Sequence, residues 1–404
     1  MKILFLITSS LESPYGRARC LPLARELASL GHQITILALH HDLSSCSHLR
    51  YKVPTKREPI QIHYVGQMHV LKRGGQKYDF PLLQLLWVVF SGFMGFLLNG
   101  LQLPADAVHV GKPQPQNGMA GWLISRLRCI RLFVDCDDYE AQANRFSARW
   151  QQKLVAWMED WLPCKADGVT VNTYFLRDRY LALGVPANSI VHVPNGTDPE
   201  TVKCEPYTSS VENVQKRLKT GGPVIGYVGA LDLRSHPVNL LFDAFELLVE
   251  DLPQSQLLIV GSGADEAYLG TFAAKKSYST QIIFTGQVTY SEALSYYNLT
   301  DVMVDPVYAD DVARARCPLK LIESLATGHP IVTGDVGDRR ELLGPDFHEW
   351  LVNPGSSVAL AKGIQRVLEA KEKGRWPKST ILKRSNLFNW LKLARKWEKI
   401  YNSD

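Results

Sequence analysis

Residues 316–332 read RCPLKLIESLATGHPIV, which is the pattern of a helix, a tight turn and a strand. Pro318 suits the first turn of the helix, because its fixed φ fits there and its missing N–H would be unsatisfied in any case. Apolar residues then recur at helical spacing. Gly328 stands where a left-handed C-cap is needed, and Ile331 begins an apolar strand.

The start of this helix combines free backbone N–H groups with a lysine, which makes it a candidate anion site. Lys320 and Glu323 lie one turn apart on a shared face of the helix. A carboxylate at that distance can accept hydrogen bonds from sugar hydroxyls, so the pair fits a nucleotide diphosphate. An amphipathic surface helix with a solvated lysine explains the same residues equally well.

Length and composition are those of a soluble globular protein with two domains. The chain has 404 residues, too many for one comfortable core, and is 46% apolar and 21% charged. The net charge of +5 is mild, and no nucleic-acid motif accompanies it. The seven cysteines are scattered without a C-x-x-C pair, which favours reduced thiols in the cytosol over disulfides or a zinc site. The apolar run at residues 1–8 is too short for a signal peptide and predicts a first strand.

Apolar runs alternate with helical patterns along the whole chain, which predicts parallel strands buried on both faces. Two such series imply two doubly wound α/β domains, with the cleft between them as the default active site. The predicted strands of the first series are Lys2–Thr8, Gln33–Leu39, Ile60–Val65, Ala107–Val110, Leu132–Cys136, Gly168–Asn172 and Ile190–Pro194. Those of the second series are Val224–Gly229, Gln256–Gly261, Ile282–Gly286, Val302–Pro306, Ile331–Gly334 and Trp350–Val352.

The joint between the domains is predicted to lie between Pro194 and Gly222. Residues 195–199 read NGTDP, which is strong turn chemistry, and the polar segment Tyr207–Gly222 interrupts the periodicity. We therefore place the first domain at residues 1–198, the second at 199–384 and a C-terminal helix at 385–404.

The loop after the first strand argues against a nicotinamide or flavin enzyme. Residues 8–19 read TSSLESPYGRAR, with one glycine where a dinucleotide site needs G-x-G-x-x-G. Gly16 would let backbone N–H groups approach an acceptor, and Arg17 is a candidate phosphate contact. An ordinary loop with a solvated arginine is the alternative.

Residues 50–105 combine a basic segment with an apolar one. The segment between residues 50 and 77 contains seven lysines and arginines and only one glutamate, and residues 80–105 contain no charged residue. We interpret the apolar segment as a buried helix packed on the sheet, because its glycines, Gln84 and Asn99 weaken a membrane span. The alternative is peripheral contact with an anionic membrane.

Polar residues follow two strands of the first series. Residues 135–140 read DCDDYE, and three acids at a strand end can bind magnesium, although a polar cleft wall is the favoured interpretation. His109 ends another strand toward the same side. A lone strand histidine is usually structural, and Lys112 is at least as plausible in the cleft.

Several short motifs occur in a fixed order along nearly the whole chain. They are residues 166–167 and 191–198, then 227–229, 257–263, 284–286 and 318–332. In this order they resemble a family 4 glycosyltransferase of the GT-B architecture. The terminal segment with Trp390, Trp397 and Tyr401 is similar to the helix that crosses back onto the first domain in this family.

The resemblance implies two Rossmann-like domains that face a central cleft. It also implies transfer of a sugar, with retention and without a metal or resident cofactor, from a nucleotide-diphosphate donor on the second domain to an acceptor on the first. The predicted catalytic residues are Lys320, at the diphosphate, Glu323, at the ribose, and Arg234. The donor-binding set adds Gly229, Gly286, Leu319 and Pro318. The predicted acceptor-binding residues are Gly16, Arg17, His109, Lys112 and Asp137.

The sequence departs from the family pattern in the second domain. Ala315 stands where the family often has the first Glu of a Glu-x7-Glu pair, and Asp310 or Asp311 is the candidate to contact the donor sugar instead. The loop 229–237 has Ala230 and His236 where relatives carry arginine and lysine, so we expect Arg234 to replace these cations.

The first domain departs from the family pattern at one position. Gly111 stands where many relatives have the second histidine of a His-x-His pair.

Together these features predict a cytosolic glycosyltransferase that acts on a polysaccharide or lipid-linked acceptor at the inner membrane face. Its expected partners are a nucleotide sugar, the acceptor and an anionic membrane surface, and not nucleic acid. The alternatives are a non-catalytic GT-B protein that binds a nucleotide or a partner, and a sugar-nucleotide epimerase of the same architecture.

Overall fold

The computed structural model of the chain describes residues 1–73, 76–198, 208–218 and 221–402. Contacts divide the chain into two units, Met1–Gly196 with Trp390–Asp404 and Thr197–Asn389. The predicted polar segment Tyr207–Gly222 lies partly outside the described residues. The domain limits and domain roles inferred from the sequence stay predictions.

The strands match the apolar runs of the sequence. In the first unit they are β1 (Lys2–Ile7), β2 (Gln33–His40), β3 (Arg50–Val53), β4 (Ile60–Gln67), β5 (Val70–Arg73), β6 (Gln76–Asp79), β7 (Ala107–Gly111), β8 (Arg131–Cys136), β9 (Gly168–Val171) and β10 (Ile190–His192). In the second unit they are β11 (Val224–Val228), β12 (Gln256–Val260), β13 (Ile282–Phe284), β14 (Val302–Asp305), β15 (Ile331–Gly334) and β16 (Leu351–Val352).

The helices fill the segments between the strands. In chain order they are α1 (Leu21–Ser29), α2 (Leu82–Gln102), α3 (Pro115–Arg128), α4 (Glu140–Ala143), α5 (Arg149–Trp161), α6 (Tyr174–Ala182), α7 (Ser209–Arg217), α8 (Val238–Asp251), α9 (Glu266–Ala274), α10 (Tyr290–Tyr297), α11 (Asp311–Ala315), α12 (Leu319–Thr327), α13 (Arg339–Leu343), α14 (Ser357–Glu372), α15 (Lys378–Ser385) and α16 (Trp390–Trp397). A π-helical turn at Gly16–Cys20 leads into α1, and a 3-10 turn at Glu398–Tyr401 follows α16.

The first unit is built on an eight-stranded sheet of order β10-β9-β8-β7-β1-β2-β4-β3. All neighbours run parallel except β3, which pairs antiparallel with β4 at the edge. Alternate residues of β1 face the two helical layers. Ile3 and Phe5 join the core with α1 and α16, whereas Leu4 lies near α2 and α3, beside Gly100 and Ile124.

The second unit is built on a six-stranded parallel sheet of order β13-β12-β11-β14-β15-β16. The strand order reverses at β11, so the strand ends beside β11 and β14 form the switch point where ligands of such sheets bind. The GT-B prediction of two doubly wound Rossmann-like halves is confirmed.

The predicted strands are all present, and their ends differ from the prediction by at most two residues. The sequence analysis missed β3 and the antiparallel hairpin of β5 and β6. These strands lie in the basic segment, where exposed polar residues hide the apolar periodicity that marks a buried strand.

The prediction that α2 is a buried core helix is wrong for most of its circumference. Its buried residues repeat every fourth position, at Val88, Gly92, Phe96 and Gly100, and form one narrow stripe. Only 17% of its most apolar window is buried, and by length and composition alone α2 could cross a membrane.

Candidate active site

Helix α12 begins as the sequence predicts and is more buried than predicted. Pro318 precedes the first turn with φ −73°, and Gly328 ends the helix at φ +78° with its N–H donating to the Leu325 and Ser324 carbonyls. All residues from Lys320 to Thr327 are buried. The alternative of a surface helix with a solvated lysine is therefore wrong.

The Lys320 ammonium is held in the interior of the second unit. The residue is 7% exposed, and Nζ lies 3.3 Å from Asp305 Oδ1 and 4.2 Å from the centre of the Tyr227 ring. Among the described residues Nζ has no hydrogen-bond partner of good geometry. Burial lowers the pKa of Lys320, and Asp305 opposes that shift. A buried ammonium with unused donors is suited to a ligand that brings acceptor oxygens.

Asp305 is shared between two cations. Arg339 Nε lies 3.0 Å from Asp305 Oδ2, and the Thr333 hydroxyl donates to the same oxygen at 2.9 Å. Burial works against ionisation, but Arg339 and then Lys320 hold the pKa of Asp305 well below its usual range. One carboxylate is therefore shared by two buried cations near the start of α12.

Glu323 lies one turn after Lys320 and is oriented by α10. The Tyr297 hydroxyl donates to Glu323 Oε2 at 2.9 Å. Burial, and next the Glu323 carboxylate, raise the pKa of Tyr297, which keeps the phenol protonated as a donor. The carboxylate is thus positioned before any ligand is present.

Three glycine turns meet at the ends of β11, β12 and β13. Gly229, Gly261 and Gly286 all have positive φ, at +154°, +125° and +70°. A Cβ on Gly261 would overlap the Gly229 carbonyl oxygen, and a Cβ on Gly229 would lie 3.3 Å from Lys320 Nζ. Gly261 also bridges to Gly286. The absence of a side chain at Gly229 leaves space beside the Lys320 ammonium.

A second polar network joins the strand ends of the first unit. Arg19 is almost fully buried, with Nη2 2.8 Å from Asp135 Oδ1 and Nε 2.9 Å from Oδ2. The Tyr15 hydroxyl and the Thr170 hydroxyl both donate to Asp135 at 2.9 Å. Arg19 Nη1 donates to Asn195 Oδ1 at 3.0 Å and so ties the loop after β10 to this centre.

Comparison with known proteins identifies the chain. The family description "Glycosyl transferase 4-like domain" matches residues 16–196, and "Glycosyl transferases group 1" matches residues 210–380. This protein is a family 4 glycosyltransferase. The glycosyltransferase is 28% identical over 374 residues to the phosphatidyl-myo-inositol mannosyltransferase of Mycobacterium leprae, across 91% of this chain and 87% of that protein. It is 26% identical to the putative glycosyltransferase EpsD of Bacillus subtilis, across 53% of this chain and 55% of that one.

Solved GT-B glycosyltransferases share the fold of this chain. Sucrose-phosphate synthase from Thermosynechococcus elongatus aligns with a TM-score of 0.74 and 20% identity, over 100% of this chain and 98% of that chain. The complex of Anabaena HepE with UDP-glucose aligns with a TM-score of 0.68 and 17% identity, over the whole of both chains.

The predicted donor residues of the glycosyltransferase are brought together at one edge of the second sheet. Pro318, Leu319 and Lys320 form the start of α12, and a Cβ on Gly229 would lie 3.3 Å from Lys320 Nζ. Gly286 forms a β-bridge with Gly261, and Glu323 lies one turn after Lys320 on the helix. Their roles toward a donor stay predictions.

Arg234 is placed differently from this group. It is exposed and lines a small surface pocket, together with residues of the 307–313 segment. The sequence offers no signal for this, because the loop conformation sets the direction of the side chain.

The candidate replacements for the missing glutamate both have local partners. Asp310 Oδ1 accepts from the Ala313 N–H at 2.8 Å and caps α11. Asp311 pairs with Arg314 at 2.9 Å on the surface. Ala315 itself is fully buried. A role of either aspartate toward the donor sugar stays a prediction.

The acceptor residues predicted near β7 and β8 form ion pairs with one another. Lys112 Nζ lies 2.8 Å from both Asp138 and Glu140, and 3.5 Å from Asp137. Burial raises the pKa of Asp137 to about 6, against the influence of Lys112 and Arg19. An acceptor must therefore compete with this network to reach Lys112. Lys112 and Arg19 together offset two of the four acidic charges of the run 135–140.

His109 is not placed where it could bind an acceptor, and that prediction is wrong. Its ring is fully buried, stacks on Phe5 at 4.9 Å, and bonds through Nδ1 to the Tyr401 hydroxyl at 2.9 Å. Burial lowers the pKa of His109 to about 3, so the ring is neutral. Its role is to hold the C-terminal segment on the first sheet.

The loop residues Gly16 and Arg17 differ in their surroundings. Gly16 is buried, and a Cβ there would overlap the Ser10 carbonyl oxygen, so the glycine is required by the loop itself. Arg17 is exposed at the start of the π-helical turn. Its role toward an acceptor phosphate stays a prediction.

The position of the missing second histidine is filled by a tyrosine. A Cβ on Gly111 would overlap the Tyr15 hydroxyl, which is bonded to Asp135. The glycine therefore makes room for a side chain from the loop after β1. The sequence could not show this, because 96 positions separate the two residues.

One cluster with metal-ligand chemistry escaped the sequence analysis. Glu12, His40 and His41 place donor atoms within 4.8 Å of one another beside the ends of β1 and β2. The Asp42 N–H donates to His40 Nδ1 at 3.1 Å, which places the ring proton on Nε2. Both ring nitrogens of His40 are thereby poorly suited to a metal ion.

Proposed function

We propose that this glycosyltransferase moves a sugar from a nucleotide-diphosphate donor, bound by the second unit, to a polysaccharide or lipid-linked acceptor, bound by the first. The observation that carries the donor assignment is the buried Lys320 ammonium at the start of α12 beside Gly229. Among the described residues this ammonium has an ion pair with Asp305 but no hydrogen bond of good geometry. HepE in complex with UDP-glucose and a GDP-mannose-dependent mannosyltransferase of Mycolicibacterium smegmatis support this class of donor. The phosphatidyl-myo-inositol mannosyltransferase supports a lipid-linked acceptor.

The proposed chemistry is electrostatic. The diphosphate gains negative charge as the glycosidic bond breaks, so Lys320 and the first N–H groups of α12 stabilise the transition state more than the ground state. One charge-assisted contact is worth about 1.5–3 kcal/mol, or roughly ten- to a hundredfold in rate. We propose that the nucleotide sugar is a co-substrate, that transfer retains the anomeric configuration, and that no metal ion takes part.

Release of nucleotide from a panel of UDP-, GDP- and ADP-sugars, with and without lipid acceptors, tests the donor assignment. We expect Lys320→Met to lower kcat at least tenfold while preserving the shape of the helix. Lys371→Met is the matched control, because Lys371 pairs with Asp301 on the surface of the same unit. A Lys320→Met enzyme as active as the wild type would remove the assignment. An epimeric nucleotide sugar found by product analysis with the donor alone would instead indicate an epimerase.

We further propose that the protein works in the cytoplasm on the inner face of the cell membrane. The outer face of α2 is apolar, with Leu83 82% and Trp87 66% exposed. A second exposed stripe, Trp150, Leu154 and Trp157, follows α5 at helical spacing. Exposed cations on α3 and α5 accompany these stripes, namely Arg126, Arg149 and Lys153. Tryptophans and basic residues together favour an anionic lipid interface, and binding to lipid vesicles is the measurement that tests it.

A further inference from the structure

The pocket at the start of α12 carries more positive charge than its own carboxylate balances. Within the described residues, the charged groups that act on both Lys320 and His236 are Arg316, Arg339 and Asp305. Asp305 is engaged by Arg339 and Thr333, as well as by Lys320. A second carboxylate of the site, Glu323, lies one turn further along α12 and accepts from the Tyr297 hydroxyl. Three cations therefore face two carboxylates, and the remaining positive charge suits the pocket to an anion.

Arg316 is one of these cations and is held in place by the loop after β11. Its Nη1 donates to the Ser235 carbonyl oxygen at 2.5 Å and lies 3.5 Å from His236 Nδ1. Among the described residues, no carboxylate lies within ion-pair distance of its guanidinium. A planar group fixed at one nitrogen keeps its remaining N–H groups oriented for a phosphate.

The imidazole of His236 is neutral and lies beside the Arg316 guanidinium. Burial lowers its pKa well below the ordinary value, and Lys320 and Arg316 add to the shift, while Asp305 opposes it. A neutral imidazole can accept from Arg316 without repelling it. Ser235 and His236 thus position the guanidinium from the side of the loop.

We propose that Arg316 is a diphosphate-binding residue of the donor site, where it acts beside Lys320 and makes the site selective for diphosphate over monophosphate donors. This proposal rests on the proposed function of the same site. It assigns to Arg316 the role that the sequence analysis gave to Arg234, which is exposed on the open pocket side of its loop.

The test is calorimetric titration of the full-length protein with UDP, GDP and ADP, and with the monophosphate and nucleoside of the tightest binder. We expect Arg316→Gln to weaken diphosphate binding about ten- to a hundredfold, monophosphate binding less, and nucleoside binding not at all. Arg316→Lys should restore part of the affinity. The matched control is Arg314→Gln, which removes the same charge two residues away from an arginine paired with Asp311.

The outcomes separate this proposal from the one it rests on. If the wild type binds none of the nucleotides, both fail. If it binds a diphosphate and Arg316→Gln binds equally well, or loses nucleoside to the same degree, only the role of Arg316 fails. Should the variant not fold, competition in the wild type decides. Inorganic pyrophosphate must then displace the nucleotide at far lower concentration than inorganic phosphate, and equal potency would overturn the proposal.

Discussion

The role of a single buried residue in this protein depends on its surroundings and not on its residue type alone. Lys320 and His109 are both buried ionisable residues, yet one faces an open glycine turn and the other a closed aromatic cluster. Each has a buried nitrogen without a hydrogen-bond partner among the described residues, Nζ in the lysine and Nε2 in the histidine. Their surroundings differ, because the lysine lies beside a glycine turn at the strand ends, whereas the histidine is enclosed by aromatic rings and bonds Tyr401 through Nδ1.

The buried His109 predicts an acid-sensitive first unit. Its pKa of about 3 lies below the ordinary 6.5, so it favours the folded state above about pH 6.5, and this contribution is lost as the pH falls toward 3. Unfolding at acid pH is coupled to the uptake of up to one proton by His109. We therefore expect His109→Phe to reduce the slope of the unfolding free energy against pH by at most about 1.4 kcal/mol per pH unit. Denaturant unfolding between pH 4 and 7 measures the slope.

The control for this experiment is Phe5→Leu, which loosens packing against His109 and removes no titratable group. It should lower stability equally at every pH. Asp137 and Glu159 have raised pKa values, so acid stabilises the folded state through them. In the wild type this effect opposes that of His109. The difference between variant and wild type isolates the histidine, and identical slopes would contradict the assignment.

At the scale of elements, the two most informative helices differ in how well the sequence describes them. In α12 the proline before it, the apolar spacing and the closing glycine are local signals, and all three hold. In α2 the composition predicts a helix but not which residues are buried. Close backbone approach decides that, since a Cβ on Gly95 would overlap the Val65 carbonyl oxygen on β4.

The outward face of α2 predicts binding to anionic vesicles. We expect the triple variant Leu83→Ser, Trp87→Ser and Phe90→Ser to lose most binding to phosphatidylglycerol vesicles while folding normally, because these residues are exposed. Co-sedimentation with and without the anionic lipid measures the effect. The double variant Tyr268→Ser and Val358→Ser removes exposed apolar groups from the second unit as a control. Unchanged sedimentation of the triple variant would exclude α2 as the contact.

At the scale of the whole molecule, the chain ends by returning to its beginning. Trp390, Trp397 and Tyr401 are buried in the core of the first unit, and the Tyr401 carbonyl accepts from Arg131 Nη2 at 2.6 Å. His32 and Glu398 add a further contact at 2.9 Å. The first unit therefore completes its core only when the last residues are in place.

This closure predicts that the terminal helix is essential for stability. We expect Trp397→Ala to lower the unfolding free energy by about 3–5 kcal/mol, because a large buried ring is lost beside His109. Leu391→Ala, at an exposed position of the same helix, should change it by less than about 1 kcal/mol. Urea denaturation measures both. A Trp397→Ala protein as stable as the Leu391→Ala protein would show that the closure is dispensable.

The sequence by itself determined the buried parallel strands in chain order, the two doubly wound halves and the position of α12. These follow from local periodicity and turn chemistry, which act between residues a few positions apart. Only the tertiary structure decided that His109 is packed away, that Lys112 is bound by acids, and that Arg316 contacts Ser235 and His236 while Arg234 is exposed. Those outcomes depend on side chains from distant strands meeting at one place, and no local pattern records that. The helix start at residues 318–320 was visible from the sequence, but the cations Arg316 and Arg339 and the carboxylate Asp305 surround it only once the sheet has formed.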